Sequence, residues 1–169
     1  MTTLHIRPPG ALTDVDTAQR TEPGNLWYDE ATGLTHVYVY NAGAATLSAA
    51  DAVGVFTTLA RGHVSGTDGT MLEQTDGTTV TKACAGVAVS TIATTEFGWL
   101  VAKGFNPTGV VTTDGSVAIG SELAIKDATV TFKGGATAAT AHVGGCGYGL
   151  AADVGTTLTG YILMDTYFV

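Results

Sequence analysis

A chain of 169 residues fits one domain and is long enough to bury a hydrophobic core without a metal or a disulfide to hold it together. Hydrophobic residues make up 45% and charged residues only 13%. That is well below the roughly 25% charge of ordinary soluble domains, so the surface is Thr, Ser, Ala and Gly or is partly covered by partners. The formal net charge of −8 repels phosphate backbones and anionic headgroups, which argues against nucleic acid and membranes as partners.

From Met1 to Asn25 no periodicity is sustained, and Pro8-Pro9-Gly10 and Pro23-Gly24 impose extended or turn conformations. Residues 1–25 read as an extended N-terminal arm and residues 26–169 as a β-rich domain. The first ten residues hold no apolar run of the kind an export signal needs, and nowhere do 18 apolar residues follow one another. The expectation is synthesis in the cytoplasm without a recognised export signal. Acidic residues gather early, at Asp14, Asp16, Glu22, Asp29 and Glu30, where they form either a solvated flank or a segment that a basic protein surface receives.

Trp27, Tyr28, Tyr38 and Tyr40 form the densest aromatic region, equally suited to core packing and to anchoring a partner. His36-Val37-Tyr38-Val39-Tyr40 is β-branched and aromatic, Asn41-Ala42-Gly43 is a turn, and Val53-Gly54-Val55-Phe56 resumes strand character. Asp68-Gly69, Asp76-Gly77 and Asp114-Gly115 are dipeptides suited to tight turns between strands. Short apolar runs at Val80, Ala85–Val89, Phe97–Ala102, Val110–Thr112, Val117–Ile119, Leu123–Ile125, Thr129–Phe132, His142-Val143, Gly149-Leu150 and Leu158–Met164 recur at about the 8 to 12 residue spacing of a sandwich or barrel. Only Ala44–Ala52 and Ala136–Ala141 are Ala-rich enough for helix. The fold class is therefore all-β, a compact β-sandwich or β-barrel with minor helix.

Residues 84–101 and 146–163 repeat one β unit. Cys84 and Cys146, Thr94-Thr95 and Thr156-Thr157, and Gly98 and Gly160 stand 62 positions apart, and each Gly is followed by an aromatic residue, Trp99 or Tyr161. This equivalence places Trp99 and Tyr161 in related layers of the core. It also places the two cysteines near one another or at two separate buried positions, with free thiols favoured over a disulfide.

His5, His36, His63 and His142 lack metal-ligand spacing, and Asp68, Glu73 and Asp76 lack the alternation of an EF-hand loop. No Gly-x-Ser-x-Gly elbow occurs. Gly144-Gly145-Cys146-Gly147-Tyr148-Gly149 precedes strand rather than helix and carries no Lys, so these glycines read as close backbone approaches instead of a phosphate cradle. No catalytic residue, metal ligand or cofactor is expected, and the chain reads as a non-enzyme. Two rival classes remain. One is a carbohydrate- or receptor-binding β domain using exposed aromatics such as Trp27 or Trp99; the other is a hydrolase whose acid and base converge only through the fold.

The order of Tyr38-Val39-Tyr40-Asn41, Leu47–Val53, Phe97-Gly98-Trp99-Leu100-Val101-Ala102-Lys103-Gly104, Val117-Ala118-Ile119-Gly120-Ser121-Glu122-Leu123, Gly147-Tyr148-Gly149-Leu150-Ala151 and Gly160-Tyr161-Ile162-Leu163 resembles tailed-bacteriophage capsid decoration, or cement, proteins over residues 34–165. The resemblance implies a β-rich homotrimer that docks on the outside of an expanded head, clamps the major capsid protein and stabilises the shell. It implies a location on the virion capsid surface and brings no catalytic residues. The acidic balance departs from what a docking protein needs unless the capsid surface is complementary. On this reading Arg7, Pro8 and Pro9 of the arm, with Trp27, Tyr28, Tyr38 and Tyr40, are the candidate partner contacts.

Overall fold

The structure, a computed structural model, describes Pro8 and residues 10–58, 60–67, 70–75, 80–125, 130–134 and 146–164. Every regular element among them is a β-strand, and all twelve strands belong to one hydrogen-bonded network. The all-β expectation holds. Ala44–Ala52, the helix-friendly stretch, is bends and turns leading into a strand, because Thr46 and Ser48 interrupt the Ala run and Asp51 accepts a hydrogen bond from the Ser48 amide, 2.8 Å. Ala136–Ala141, His142, Asp68-Gly69 and Asp76-Gly77 lie outside the described residues.

The network closes twice on itself. In the first barrel β2 (Leu34–Asn41) pairs in parallel with β4 (His63–Ser65). From β4 the ring continues through β3 (Ala52–Val55), β7 (Cys84–Ala88) and the first half of β8 (Phe97–Thr112), all antiparallel, and β8 returns to β2. In the second barrel the last half of β8 pairs with β12 (Thr157–Leu163). The ring then runs through β11 (Gly147–Gly149), β9 (Glu122–Ile125) and β10 (Phe132–Gly134). It is closed by a parallel bridge between Thr113 and Phe132. The two rings have the same strand order and the same single parallel pairing, so of sandwich and barrel the chain is a tandem of small barrels sharing β8. A hairpin of β5 (Glu73–Thr75) and β6 (Val80–Lys82) joins β9, and β1 (Leu26–Asp29) joins β2.

The β1–β2 hairpin forms because the Asp29 carboxylate accepts from the Ala31 amide and the Thr32 hydroxyl, 3.0 and 2.7 Å, while Gly33 takes a φ of 71°. β8 runs 16 residues where the sequence suggests two short strands, because Gly104 and Pro107 interrupt the apolar pattern without ending the strand. The stretch around Pro107 lies opposite an irregularity in β12 between Thr159 and Tyr161, where Gly160 takes a φ of 86°. A bulge tolerates a missing amide that a regular ladder does not.

The repeat is confirmed at the level of strands and corrected at the level of register. Val101 pairs with Val87, as Ile162 pairs with Tyr148. A Cβ on Gly86 would run into the Val101 carbonyl, and one on Gly147 into the Ile162 carbonyl. Equivalent residues in these strands thus stand 61 apart, from 86 to 147 and from 101 to 162. A shift of one residue in a strand moves every side chain to the other face. Trp99 is therefore outside its barrel, whereas Tyr161 fills the interior of the second. The Gly147 approach is the close contact expected of the glycine-rich stretch.

Val37, Val39, Val53, Val55, Val64, Ala85, Leu100 and Ala102 pack in one cluster with Leu47 and Ile92, and these two bridge each other. Leu123, Ile125, Phe132, Leu158, Tyr161 and Leu163 form another, and the first barrel's Ala52, Val87 and Val101 belong to this second cluster. Each such large side chain buried contributes about 1.5–3 kcal/mol. Cys84 and Cys146 are free and buried there. Burial, and then the hydrogen bond with Cys84, holds the Cys146 thiol well above its ordinary range.

Candidate functional site

Register brings the aromatic residues of the first barrel onto its outer face. Trp27 is opposite His36, Tyr38 opposite Trp99 and Tyr40 opposite Phe97. The rings touch in sequence: Tyr38 lies 5.2 Å from Trp99 and 5.8 Å from Phe97, and Tyr40 lies 4.9 Å from Phe97 and 5.0 Å from His63. Such pairs contribute about 0.5–1.5 kcal/mol beyond the area they bury.

The chain's own segment covers the middle of this face. Asp16 bridges Phe97 through two backbone hydrogen bonds of 2.9 Å, and the Tyr38 hydroxyl donates to the Asp16 carboxylate at 3.1 Å. Arg20 holds Asp16 at 2.6 Å and Asp14 at 3.3 Å. Residues 10–25, read from sequence as arm, thus run along the barrel. Tyr38 is fully buried, and burial pushes its phenol up to about 12. Its ring lies on the outer face of the barrel and is covered by the chain's own residues 10–25. Trp99 is buried too, so no stacking platform exists there. Trp27 is half-buried with its ring 5.5 Å from the His36 imidazole. Desolvation lowers His36 to about 4, and its Nδ1 has no hydrogen-bond partner among the described residues. Tyr28 and Leu26 are exposed, Tyr40 is half-buried and Pro8 is half-exposed, while Arg7 and Pro9 lie outside the described residues.

Where the covering segment ends, a groove of about 570 Å³ opens. Tyr40, His63 and Phe97 form its aromatic floor, and Gln19, Glu22 and Arg61 stand around it. Thr95 at its rim has a φ of 65°, a strained conformation for a β-branched residue. The sequence gives no signal for this groove, because its walls come from four separate stretches of chain.

A second surface was equally hidden. On the second barrel Phe105, Ile162, Tyr148 and Glu122 form one continuous row across β8, β12, β11 and β9. Phe105 is 56% and Tyr148 42% exposed, with Met164 exposed beside them. Apolar side chains thus stand together in solvent on this sheet, where scattered single ones would be ordinary. The strand alternation that would have revealed the row is legible only at the 61-residue register. Among the described residues no three His, Cys, Asp or Glu side chains cluster as metal ligands would.

The architecture is thus a tandem of two closed five-stranded barrels. No family model matches the chain, and no curated protein does. Among solved structures, the chain is similar to the N base of the head fiber gp8.5 of bacteriophage phi29. The identity is 10% and the TM-score 0.46, over 79% of this chain and 98% of that one.

Proposed function

We propose that the chain is a non-enzymatic structural protein of a phage virion that binds the outer surface of the capsid as a homotrimer and stabilises the head. The observation that carries this reading is the exposed apolar row on the second barrel, set on a rigid sheet in a chain with few surface charges. Such a surface suits burial against protein, and threefold repetition multiplies modest contacts by avidity. The motif order, which resembles that of capsid decoration proteins, agrees with it. The major capsid protein is the partner. Trp27, Tyr28 and Tyr40, with Arg7, Pro8 and Pro9, are the contacts to it, whereas Tyr38 keeps the covering segment in place.

Light scattering of the purified protein and co-sedimentation with undecorated heads test the reading. A trimer that pellets with heads and delays their loss of DNA on heating is the expected result. A protein that stays in the supernatant at every concentration contradicts it.

A further inference from the structure

The two barrels carry the same outward row, and only one of the two is covered. In the first barrel His36, Val101, Val87 and Ala52 are paired in turn across β2, β8, β7 and β3. In the second barrel the pairing Phe105, Ile162, Tyr148 and Glu122 matches it residue for residue across β8, β12, β11 and β9. Val101, Val87 and Ala52 are 6%, 2% and 0% exposed, and they pack in the cluster that fills the second barrel. The chain therefore shows within itself what covers this row: the end of a second barrel of the same kind.

The place where the row docks also has a counterpart. The Ala52 amide donates to the Val130 carbonyl at 2.8 Å, and the Thr112 amide donates to the Ala50 carbonyl at 3.0 Å, so the first barrel seats between Thr112 and Val130. The parallel pair Asn41 and Val64 of the first barrel matches Thr113 and Phe132 of the second. Both Asn41 and Thr113 are buried polar residues, and their amides reach the carbonyls of Glu96 and Thr156, which stand 60 rather than 61 apart because they precede the irregularity between Thr159 and Tyr161. Thr112 and Val130 then correspond to Tyr40 and Gly62, which lie at the Tyr40–His63–Phe97 groove. In the first barrel the Tyr40 amide donates to the Gly62 carbonyl at 2.9 Å, so the backbone is closed there and a visitor would meet side chains. The groove offers Arg61 and His63, with Glu22 also in its lining, and the open row carries Glu122 at its edge, where Ala52 stands in the covered one.

We infer that the Phe105–Ile162–Tyr148 row seats head to tail on the Tyr40–Phe97 groove of a second copy of this chain, with Glu122 facing Arg61. The inference rests on the self-assembly part of the proposed function and names its surface. A contact between two different patches closes into a ring when the rotation allows, and three copies are the smallest ring beyond a pair. It gives the low surface charge a use, because each copy would cover one apolar row and one groove.

The test is light scattering over a range of concentrations on wild type, Tyr148→Glu and Phe105→Glu, with urea unfolding of each. Charge reversal adds Glu122→Arg, Arg61→Glu and the two together. The expected result is an oligomeric wild type, a mass at least twofold lower for Tyr148→Glu and Phe105→Glu with each variant still unfolding in one cooperative transition, and assembly lost in each charge variant and regained in the pair. An oligomeric wild type whose mass none of these changes moves overturns this surface and leaves the homotrimer standing. A wild type that is monomeric throughout overturns both. If that monomer pellets with heads and Tyr148→Glu does not, the row binds capsid protein rather than a second copy.

Discussion

The first barrel is filled mainly with Val and Ala, Val37, Val39, Val53, Val55, Val64, Ala85 and Ala102, with Leu47, Ile92 and Leu100 beside them and no aromatic ring, whereas the second holds Phe132 and Tyr161 with Leu158, Leu163, Leu123 and Ile125. One strand plan accepts both because a closed five-stranded ring fixes where side chains point and leaves their volume free to be matched locally. The outer faces differ in the opposite sense. The first barrel is wrapped by residues 10–25 and by the second barrel, and it buries aromatic rings outside itself; the second leaves Phe105 and Tyr148 open. The difference teaches that the duplicated unit has an apolar outside as well as an apolar inside. A single copy leaves the outer row of the second barrel open.

Introducing a charge at the covered row should have the largest effect. Val87→Glu places a carboxylate in the shared cluster and should cost about 4 kcal/mol or more, because an unpaired buried charge has no compensating partner; loss of the cooperative unfolding transition is the readout. Next, Phe132→Ala opens a cavity in the large-residue barrel and should cost about 3–5 kcal/mol by urea denaturation. Third is pH. His36 is held neutral, with its pKa lowered from 6.5 to about 4. Between those values the unfolded chain binds a proton that the folded chain does not, so stability falls as pH falls from 6.5 towards 4, by up to about 3 kcal/mol. His36→Phe should flatten that part of the stability curve, while the exposed equivalent position, Phe105, imposes no such dependence. The smallest effect concerns a turn. The Ala93–Glu96 turn of the first barrel has Thr95 at a φ of 65°, while the corresponding turn of the second has Gly155 at 66°. Thr95→Gly should raise stability by about 1 kcal/mol, since relief of the left-handed strain outweighs the added chain entropy.

How much of this was legible in the sequence depends on the distance over which each feature is determined. The strands of β2, β3 and β7 announce themselves through Val, and β2 through Tyr as well, and the repeat is visible in Cys, Thr and Gly. Its register was not, because Gly98 and Gly160 coincide at 62 while the pairing is set by where Gly86 and Gly147 let the neighbouring strand approach. That one residue reversed the meaning of Trp99. The burial of Tyr38 was equally invisible, since it depends on Asp16 and Arg20 arriving from a stretch without periodicity. The groove and the open row require the closure of both rings, which no local pattern encodes.

The most direct measurement compares the covered and the open row in one experiment: urea denaturation of Val87→Glu and Tyr148→Glu beside wild type. These are equivalent positions in the two barrels, carrying the same substitution. At a protein concentration where wild type is monomeric, the expected result is a Val87→Glu protein with no native baseline and a Tyr148→Glu unfolding free energy within about 0.5 kcal/mol of wild type, the range of an exposed site. Similar destabilisation by the two variants would contradict the account, because the row of the second barrel would then be as buried as that of the first.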